Sequence, residues 1–339
     1  MAERKPMLGL TMGDPAGVGP EITVMALADE AVQKSCRPLV IGDAATMRAA
    51  VEIVGFEQEV VAVQDPSQAR FAPGSIEVLD LANVDLPRLN RGQVDPMAGK
   101  AAYEYVRKAV ELALAGQIEA VVTAPVNKEA LNAAGYHYSG HTEILADLCG
   151  SKDVAMMLVS GTLRVSHVST HVSLREACDR VRKARILKVI QLTYEALLRM
   201  GIENPHVAVA GLNPHASDGG LFGREEMEEI EPAVKAAQAL GLQVTGPLPA
   251  DTVFYRAVKG QEIGRSPFDA VVAMYHDQGH IPIKLLGLFE GVNVTLGLPI
   301  VRTSVDHGTA FGKAGKGTAS PISLIEAIRL AVRMVSSGA

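Results

Sequence analysis

Residues 7–33 read MLGLTMGDPAGVGPEITVMALADEAVQ. A short apolar run meets a glycine-rich turn, and the turn opens a longer stretch with helical patterning, so the order is strand, loop, helix. Pro20 suits the first turn of a helix, where a missing N–H costs nothing. The glycines of the turn let the backbone approach a ligand closely. The pattern is neither GxGxxG nor a Walker loop, because no GK[ST] follows. Taken alone, it reads either as a tight strand–helix turn or as an anion site at a helix N-terminus.

The same alternation runs outward from this stretch. PLVIGD, EVVAV, SIEVLD, AVVTAPV, VAMMLV, LRVSHVST, HVAVAGL, QVTGPL and AVVAMY read as strands. MAGKAAYEYVRKAVELALAG, residues 181–200, EEMEEIEPAVKAAQALG and SLIEAIRLAVRMVSSG read as helices. In the first of these, Ala102, Tyr105, Val106, Ala109, Leu112 and Ala113 form one apolar face, and Gly116 ends it. The alternation predicts an α/β protein with a mainly parallel, doubly wound sheet covered by helices on both faces. A chain of 339 residues is long for one core, so two lobes are expected.

Composition narrows the function classes. The chain is 48% hydrophobic and 21% charged, which marks a globular protein. Its net charge of −6 is spread out and Trp is absent, so nucleic-acid binding is not expected. Cys36, Cys149 and Cys178 are far apart with no CxxC, which argues for a reducing compartment and against thiolate metal sites. With no apolar run of membrane-spanning length and no signal-peptide pattern, a cytoplasmic location is expected.

Three histidines follow strand-like runs: His171 in VSTHVSLREA, His215 in AGLNPHASDGG and His276 in AMYHDQGH. In open α/β sheets, ligands collect at the carboxyl ends of strands. Neutral imidazole is the commonest metal ligand, and three of them leave an open position, as catalytic sites require. Any one of these histidines alone reads as an ordinary loop or core residue. Two further motifs carry polar groups. In TAPVNKEALNAAGYHYSGHTEIL, His141 and Thr142 would offer an imidazole, a hydroxyl and N-terminal amides to an anion, although Thr142 reads equally as a helix cap. In the C-terminal block, Lys284, Asn293 and Arg302 stand among apolar residues; each reads as a local cap or ion pair, or, for the Lys and Arg, as a charge that needs an anionic partner. The run from Asp306 to Gly317 is a glycine-rich loop that could cover a nucleotide.

Together, GDPAGVGPE, TAPVNKE, GHTE, NPHASDGG, PADT, AMYHDQG and GVNVTLGLPIVRTSVDHGTA resemble the 4-hydroxythreonine-4-phosphate dehydrogenase family, from about Gly9 to Pro321. GDPAGVGPE and the HGTA…AGKG loop also resemble the isocitrate and isopropylmalate dehydrogenases. The resemblance implies a two-lobed, non-Rossmann α/β/α fold. The implied NAD-binding lobe is 1–125 plus 290–339, and 126–289 forms a metal, substrate and dimerisation lobe. It implies NAD held by Gly13, Asp14, Gly17, His307, Gly308 and Thr309. It also implies a divalent metal (zinc, or cobalt, nickel or magnesium) on His171, His215 and His276, and a homodimer whose interface completes the site. Substrate contacts carry over to His141, Thr142, Lys284, Asn293 and Arg302. Asp251 in PLPADT and Lys284 are the candidate catalytic groups, with helix capping the alternative for Asp251.

The chain departs from the vitamin-pathway pattern in GHTEIL, SHVSTHVSL, GLFGREE and DQGHIPIKLLG. These variants are similar to the branch that turns D-threonate or D-erythronate 4-phosphate into dihydroxyacetone phosphate and carbon dioxide. The alternative is 4-hydroxythreonine 4-phosphate, giving 3-amino-2-oxopropyl phosphate for pyridoxal phosphate. An unphosphorylated cis-dihydrodiol dicarboxylate, or a non-catalytic sugar-phosphate sensor, ranks lower. The extra His280 could touch the carbon at which the phosphorylated substrates differ, or belong to a surface loop.

Overall fold

A computed structural model of the chain describes residues 4–262, 267–287 and 290–337. The chain divides into two compact units: Met1–Lys152 with Leu298–Ser337, and Asp153–Gly297. Residues 126–152 therefore cluster with the first unit, whereas the resemblance had implied a lobe boundary at 125.

The first unit holds β1 (Met7–Thr11), β2 (Arg37–Gly42), β3 (Glu59–Val63), β4 (Ser75–Asp80) and β5 (Ala120–Thr123). The second holds β6 (Ala155–Ser160), β7 (Leu163–His167), β8 (His206–Ala210), β9 (Gln243–Leu248), β10 (Ala270–Ala273) and β11 (Val292–Leu296). β12 (Val301–Val305) returns to the first unit. There the strand order is β3-β4-β2-β1-β5-β12, and every pairing is parallel. Leu10 lies opposite Val40 on one side and Val122 on the other, and all three are fully buried. Burial on both faces is why these strands are continuously apolar rather than alternating.

The helix Pro96–Leu114 covers this sheet with the apolar face seen in the sequence. Asp95 caps it by accepting from the Met97 N–H, and buried Tyr105 donates its hydroxyl to Asn83 Oδ1 at 2.8 Å. Gly99 allows the helix to meet the backbone of the helix Lys128–Ala133, because a Cβ there would lie 2.1 Å from the Ala130 carbonyl oxygen.

In the second unit the order is β11-β6-β7-β10-β8-β9. β7, β10, β8 and β9 are mutually parallel, while β6 runs antiparallel to both β7 and β11. The β6–β7 hairpin turns through Gly161 at φ 55°. Leu158, Val165, Ala208, Val253, Val271 and Ile283 belong to the core of this unit. No uninterrupted apolar run marks β11 and β12 in the sequence, where the polar Asn293 and Arg302 stand within VNVTL and VRTSV.

Gly99→Ala tests the close helix contact. Alanine gains about 1 kcal/mol of helix propensity, but a clash with backbone costs roughly 1–3 kcal/mol because backbone cannot swing aside. The clash should win, lowering the urea midpoint; an unchanged or raised midpoint contradicts this packing.

Candidate active site

The spatial order of the parallel strands decides which loops meet. β7, β8 and β10 are separated in sequence, yet β10 lies between β7 and β8. Parallel strands end at one edge, so the loops carrying His171, His276 and His215 emerge side by side. Side chains then brace them. Ser169 donates its hydroxyl to the Met274 carbonyl at 3.1 Å, tying the His171 loop to the His276 loop. Gln278 Oε1 accepts from the Met274 N–H at 2.7 Å, while its Nε2 donates to the Gly211 carbonyl at 2.8 Å. One amide thereby joins the His276 loop to the His215 loop.

The His215 loop is strained and firmly held. His215, Ala216, Ser217 and Asp218 all have left-handed φ, between 46° and 69°, before Gly219 and Gly220. Such a conformation costs roughly 1–2 kcal/mol per non-glycine residue, so surrounding contacts must impose it. Buried Glu226 anchors the entry to this run at Leu212 and Asn213. Its carboxylate accepts from the Leu212 and Asn213 N–H groups at 2.7 Å each and from Asn213 Nδ2 at 2.9 Å. Glu226 opens a single π-helical segment, Glu226–Ile230, a local irregularity that often accompanies functional sites.

The rings of His171 and His276 come within 5.7 Å, centroid to centroid. His276 Nδ1 donates to Asp277 Oδ1 at 2.7 Å, because a carboxylate only accepts. The second nitrogen, Nε2, therefore carries the lone pair in the neutral ring. The His215 ring faces Phe222 at 6.3 Å. Among the described residues, no group of three His, Cys, Asp or Glu side chains is gathered tightly enough to hold an ion. The chain thus brings His171 and His276 together and sets the His215 loop beside them, without closing the expected triad.

Lys284 is exposed on the helix His276–Leu286, in the helical row of His276 and His280. Asp251 is exposed in the first turn of the helix Ala250–Glu262, which packs against the 214–218 turn. Asn293 on β11 has a buried Oδ1 with no hydrogen-bond partner among the described residues. His280 is not in a surface loop. It is 7% exposed, and burial followed by the nearness of His276 pushes its pKa down to about 4.

In the first unit, Gly140 rather than Thr142 takes the N-cap position of the helix His141–Leu148, and no side chain caps it. Thr142 is half-buried and lies inside the first turn, past the cap position. The Nε2 of His141 is buried with no hydrogen-bond partner among the described residues. Burial, and then the positive charge of Arg302, hold its pKa well below the ordinary imidazole value. Arg302 is 1% exposed and donates from Nη2 to Thr123 Oγ1 at 2.6 Å; burial pushes its pKa down to about 9.

The two glycine-rich loops of this unit fold onto each other. The Val18 N–H donates to the Thr309 carbonyl at 3.0 Å, and Gly17 lies so close to Thr309 that a Cβ would come within 2.9 Å. Glu21 clamps the second loop by accepting from the Gly315 and Gly317 N–H groups at 2.6 and 2.7 Å. Gly13 and Asp14 begin the first loop, with Gly13 at φ 75° and the Asp14 N–H donating to the Pro125 carbonyl at 2.9 Å. His307 and Gly308 are exposed beside buried Thr309. Asp14 is fully buried; its Oδ1 accepts from the Ala16 N–H, and burial pushes its pKa up to about 6.

A family model described as pyridoxal phosphate biosynthetic protein PdxA matches residues 34–331. The chain belongs to the PdxA family. It is 50% identical over 330 residues to a D-threonate 4-phosphate dehydrogenase of Cupriavidus necator, covering 97% of each chain. A crystal structure of a 4-hydroxythreonine-4-phosphate dehydrogenase from Klebsiella pneumoniae is 45% identical with a TM-score of 0.88, covering 98% of this chain and 100% of that one. A terephthalate 1,2-cis-dihydrodiol dehydrogenase from Burkholderia xenovorans is 32% identical with a TM-score of 0.68, covering 97% and 98%. The family expected from the motifs is therefore the family found, and the α/β, non-Rossmann fold is the fold observed. These relatives make this PdxA-family chain an oxidoreductase.

What the sequence reading missed are the supports: Gln278, Glu226, Glu21 and the burial of His280. Glu226 lies in a stretch whose pattern is only helical, and Glu21 closes the GDPAGVGPE motif with nothing in the sequence to show its reach to Gly315 and Gly317.

Two outcomes test this geometry. Asp14 is more easily protonated in the folded state, so its contribution is fully present below the unfolded pKa and is lost as pH rises through 6. Asp14→Asn should gain on the parent by about 1.4 kcal/mol per pH unit between pH 4 and 6, levelling off near 3 kcal/mol; a pH-independent difference in unfolding free energy contradicts this. Gln278→Leu leaves the Met274 N–H and Gly211 carbonyl without their partner. It should cost roughly 2 kcal/mol of stability, and a loss below about 0.5 kcal/mol would show that the bridge is not structural.

Proposed function

We propose that this chain is an NAD-dependent, decarboxylating dehydrogenase of a small phosphorylated hydroxy acid, D-threonate or D-erythronate 4-phosphate, yielding dihydroxyacetone phosphate and carbon dioxide. The observation that carries the proposal is the braced set of three histidine-bearing strand ends, with the His171 and His276 rings 5.7 Å apart. Its substrate assignment draws on the 50% identity to the D-threonate 4-phosphate dehydrogenase.

By chemical type, the three imidazoles suit a divalent transition metal. His276 already presents Nε2 outward from its bond to Asp277, and an all-imidazole set suits zinc, cobalt or nickel better than magnesium. When bound at His171, His215 and His276, the metal supplies Lewis-acid polarisation of the substrate hydroxyl and of the ketone that follows. In the first unit, His141, Thr142 and Arg302 are proposed to receive phosphate or carboxylate oxygens. The buried guanidinium gains most from an arriving anion. In the second unit, Lys284 and Asn293 are proposed as further polar contacts. Lys284 and Asp251 are the proposed acid–base pair: the proton leaving the hydroxyl is returned to carbon after carbon dioxide departs. The net reaction then yields one reduced nucleotide and one carbon dioxide per substrate. NAD is assigned to the clamped loops carrying Gly13, Asp14, Gly17, His307, Gly308 and Thr309. Gly308 has nothing within 4 Å of where a Cβ would stand, so that stretch is open to a ligand.

Exposed apolar side chains support the homodimer as the completing partner. Ile281 and Leu285, 57% and 81% exposed, lie on the helix that begins with His276, and Leu221 and Phe222 follow the His215 turn. Among the described residues, no helix is long and apolar enough to cross a membrane. We assign a cytoplasmic location on the three separated, unpaired cysteines. A second reading, 4-hydroxythreonine 4-phosphate as substrate, draws on the 45% identity to the Klebsiella pneumoniae enzyme.

The decisive assay follows NADH absorbance with D-erythronate 4-phosphate, D-threonate 4-phosphate and 4-hydroxythreonine 4-phosphate in parallel, with and without added divalent metal. Metal-dependent turnover of the acid-sugar phosphates is the expected result. Preference for the amino substrate would transfer the chain to the second reading, and silence on all three would remove the phosphorylated class.

A further inference from the structure

The second unit contains four imidazoles in a row. The ring of His171 lies 5.7 Å from that of His276, His276 lies 3.6 Å from His280, and His280 lies 4.7 Å from His167. Exposure falls along the row, from an exposed His171 to His167 at 1%. Side chains four apart on a helix stack one above the other, which places His280 over His276. Their ring planes differ by 12°. An imidazole lone pair lies in its ring plane, so two near-parallel rings direct theirs along parallel planes rather than at a common centre. His280 is therefore badly placed to share an ion with His276.

It is well placed to hold His276 still. Its Nδ1 donates to the His276 carbonyl at 3.0 Å, because a carbonyl only accepts. Behind it stands His167, whose ring fits only because position 279 is glycine: a Cβ there would lie 2.3 Å from His167 Nε2. A second restraint on His276 is the bond to Asp277, whose side chain is 72% exposed. An exposed contact of that kind contributes little, since solvent competes for both partners. The buried stack is thus the dominant restraint on the ring.

We propose that His280 is a positioning residue: it clamps the ring of His276 so that Nε2 is directed at the metal, without ligating the metal itself. This rests on the metal assignment proposed above. Residues that orient a ligand in this way typically change metal affinity by 10–100-fold.

The test uses the full-length chain, stripped of metal, with cobalt(II) or zinc(II) titrated in competition with a chromophoric chelator. His280→Leu, which has no flat face, should weaken metal binding at least about tenfold. His280→Phe keeps a flat face and should stay within about threefold of the parent, and His280→Asn, which has no ring, should resemble the leucine variant. At saturating metal, KM for the acid-sugar phosphate should remain within about twofold, and the cobalt d–d spectrum of the leucine variant should shift. Thermal melts of the metal-free variants identify any that fail to fold, and the remaining two then decide. Unchanged metal affinity in both ring-less variants would overturn the proposal. So would a raised KM with unchanged metal affinity, which would make His280 a substrate contact. A parent chain that binds neither metal would overturn the metal assignment itself, and this inference with it.

Discussion

The side-chain amide of Gln278 is the contact that sets two strand ends of the second unit side by side. Its oxygen takes the Met274 N–H and its nitrogen reaches the Gly211 carbonyl, so the ends of β10 and β8 share one planar group. A planar amide with a donor and an acceptor is the simplest device for joining two backbones at a set spacing. Ser169 repeats the joint between the ends of β7 and β10 with a single hydroxyl. Because β10 lies between the other two strands, two side chains suffice to brace three loops. Glu226 then anchors Leu212 and Asn213, the entry to the left-handed run at 215–218. Strain at His215, support at Gln278 and stacking at His276 all serve the placement of imidazoles.

The first unit solves a different problem, that of keeping charge inside. Arg302 and Asp14 are both buried, and burial drives each toward its neutral form. Neither arrangement is what a scaffold selected for stability alone would contain, since buried charges rarely outperform apolar packing. Arg302 sits on β12, paired in register with Val121 of β5, so its backbone is held by the sheet while its guanidinium donates to Thr123 Oγ1. Glu21 plays the opposite part. Its carboxylate is consumed by two backbone amides, which stiffens the 315–317 loop beside the first glycine-rich turn.

The α/β alternation was legible because buried parallel strands are written as short apolar runs and their helices as amphipathic repeats. Ten strands could be read in this way. β11 and β12 were not, because VNVTL and VRTSV are interleaved with the polar Asn293 and Arg302, and the block drew attention to chemistry rather than to period. His171, His215 and His276 were legible from their strand-end positions, but their side-by-side order was not, since sequence does not reveal that β10 lies between β7 and β8. Gln278 and Glu226 were invisible for a related reason. Their partners lie 67 and up to 14 residues away in the chain, and a long-range side-chain to backbone bond leaves no periodic trace. His280 stood out as unusual, yet only its 3.6 Å stack on His276 shows where it belongs.

If the three strand ends converge on one metal, as proposed, a bound ion must be visible there. Anomalous diffraction from crystals of the chain loaded with zinc, collected on both sides of the zinc absorption edge, tests it directly. One strong peak is expected about 2.0–2.1 Å from a ring nitrogen of each of His171, His215 and His276, whether these come from one protomer or two. A peak bonded to His280 in place of His276, or no peak at these residues in zinc-saturated crystals, would contradict it.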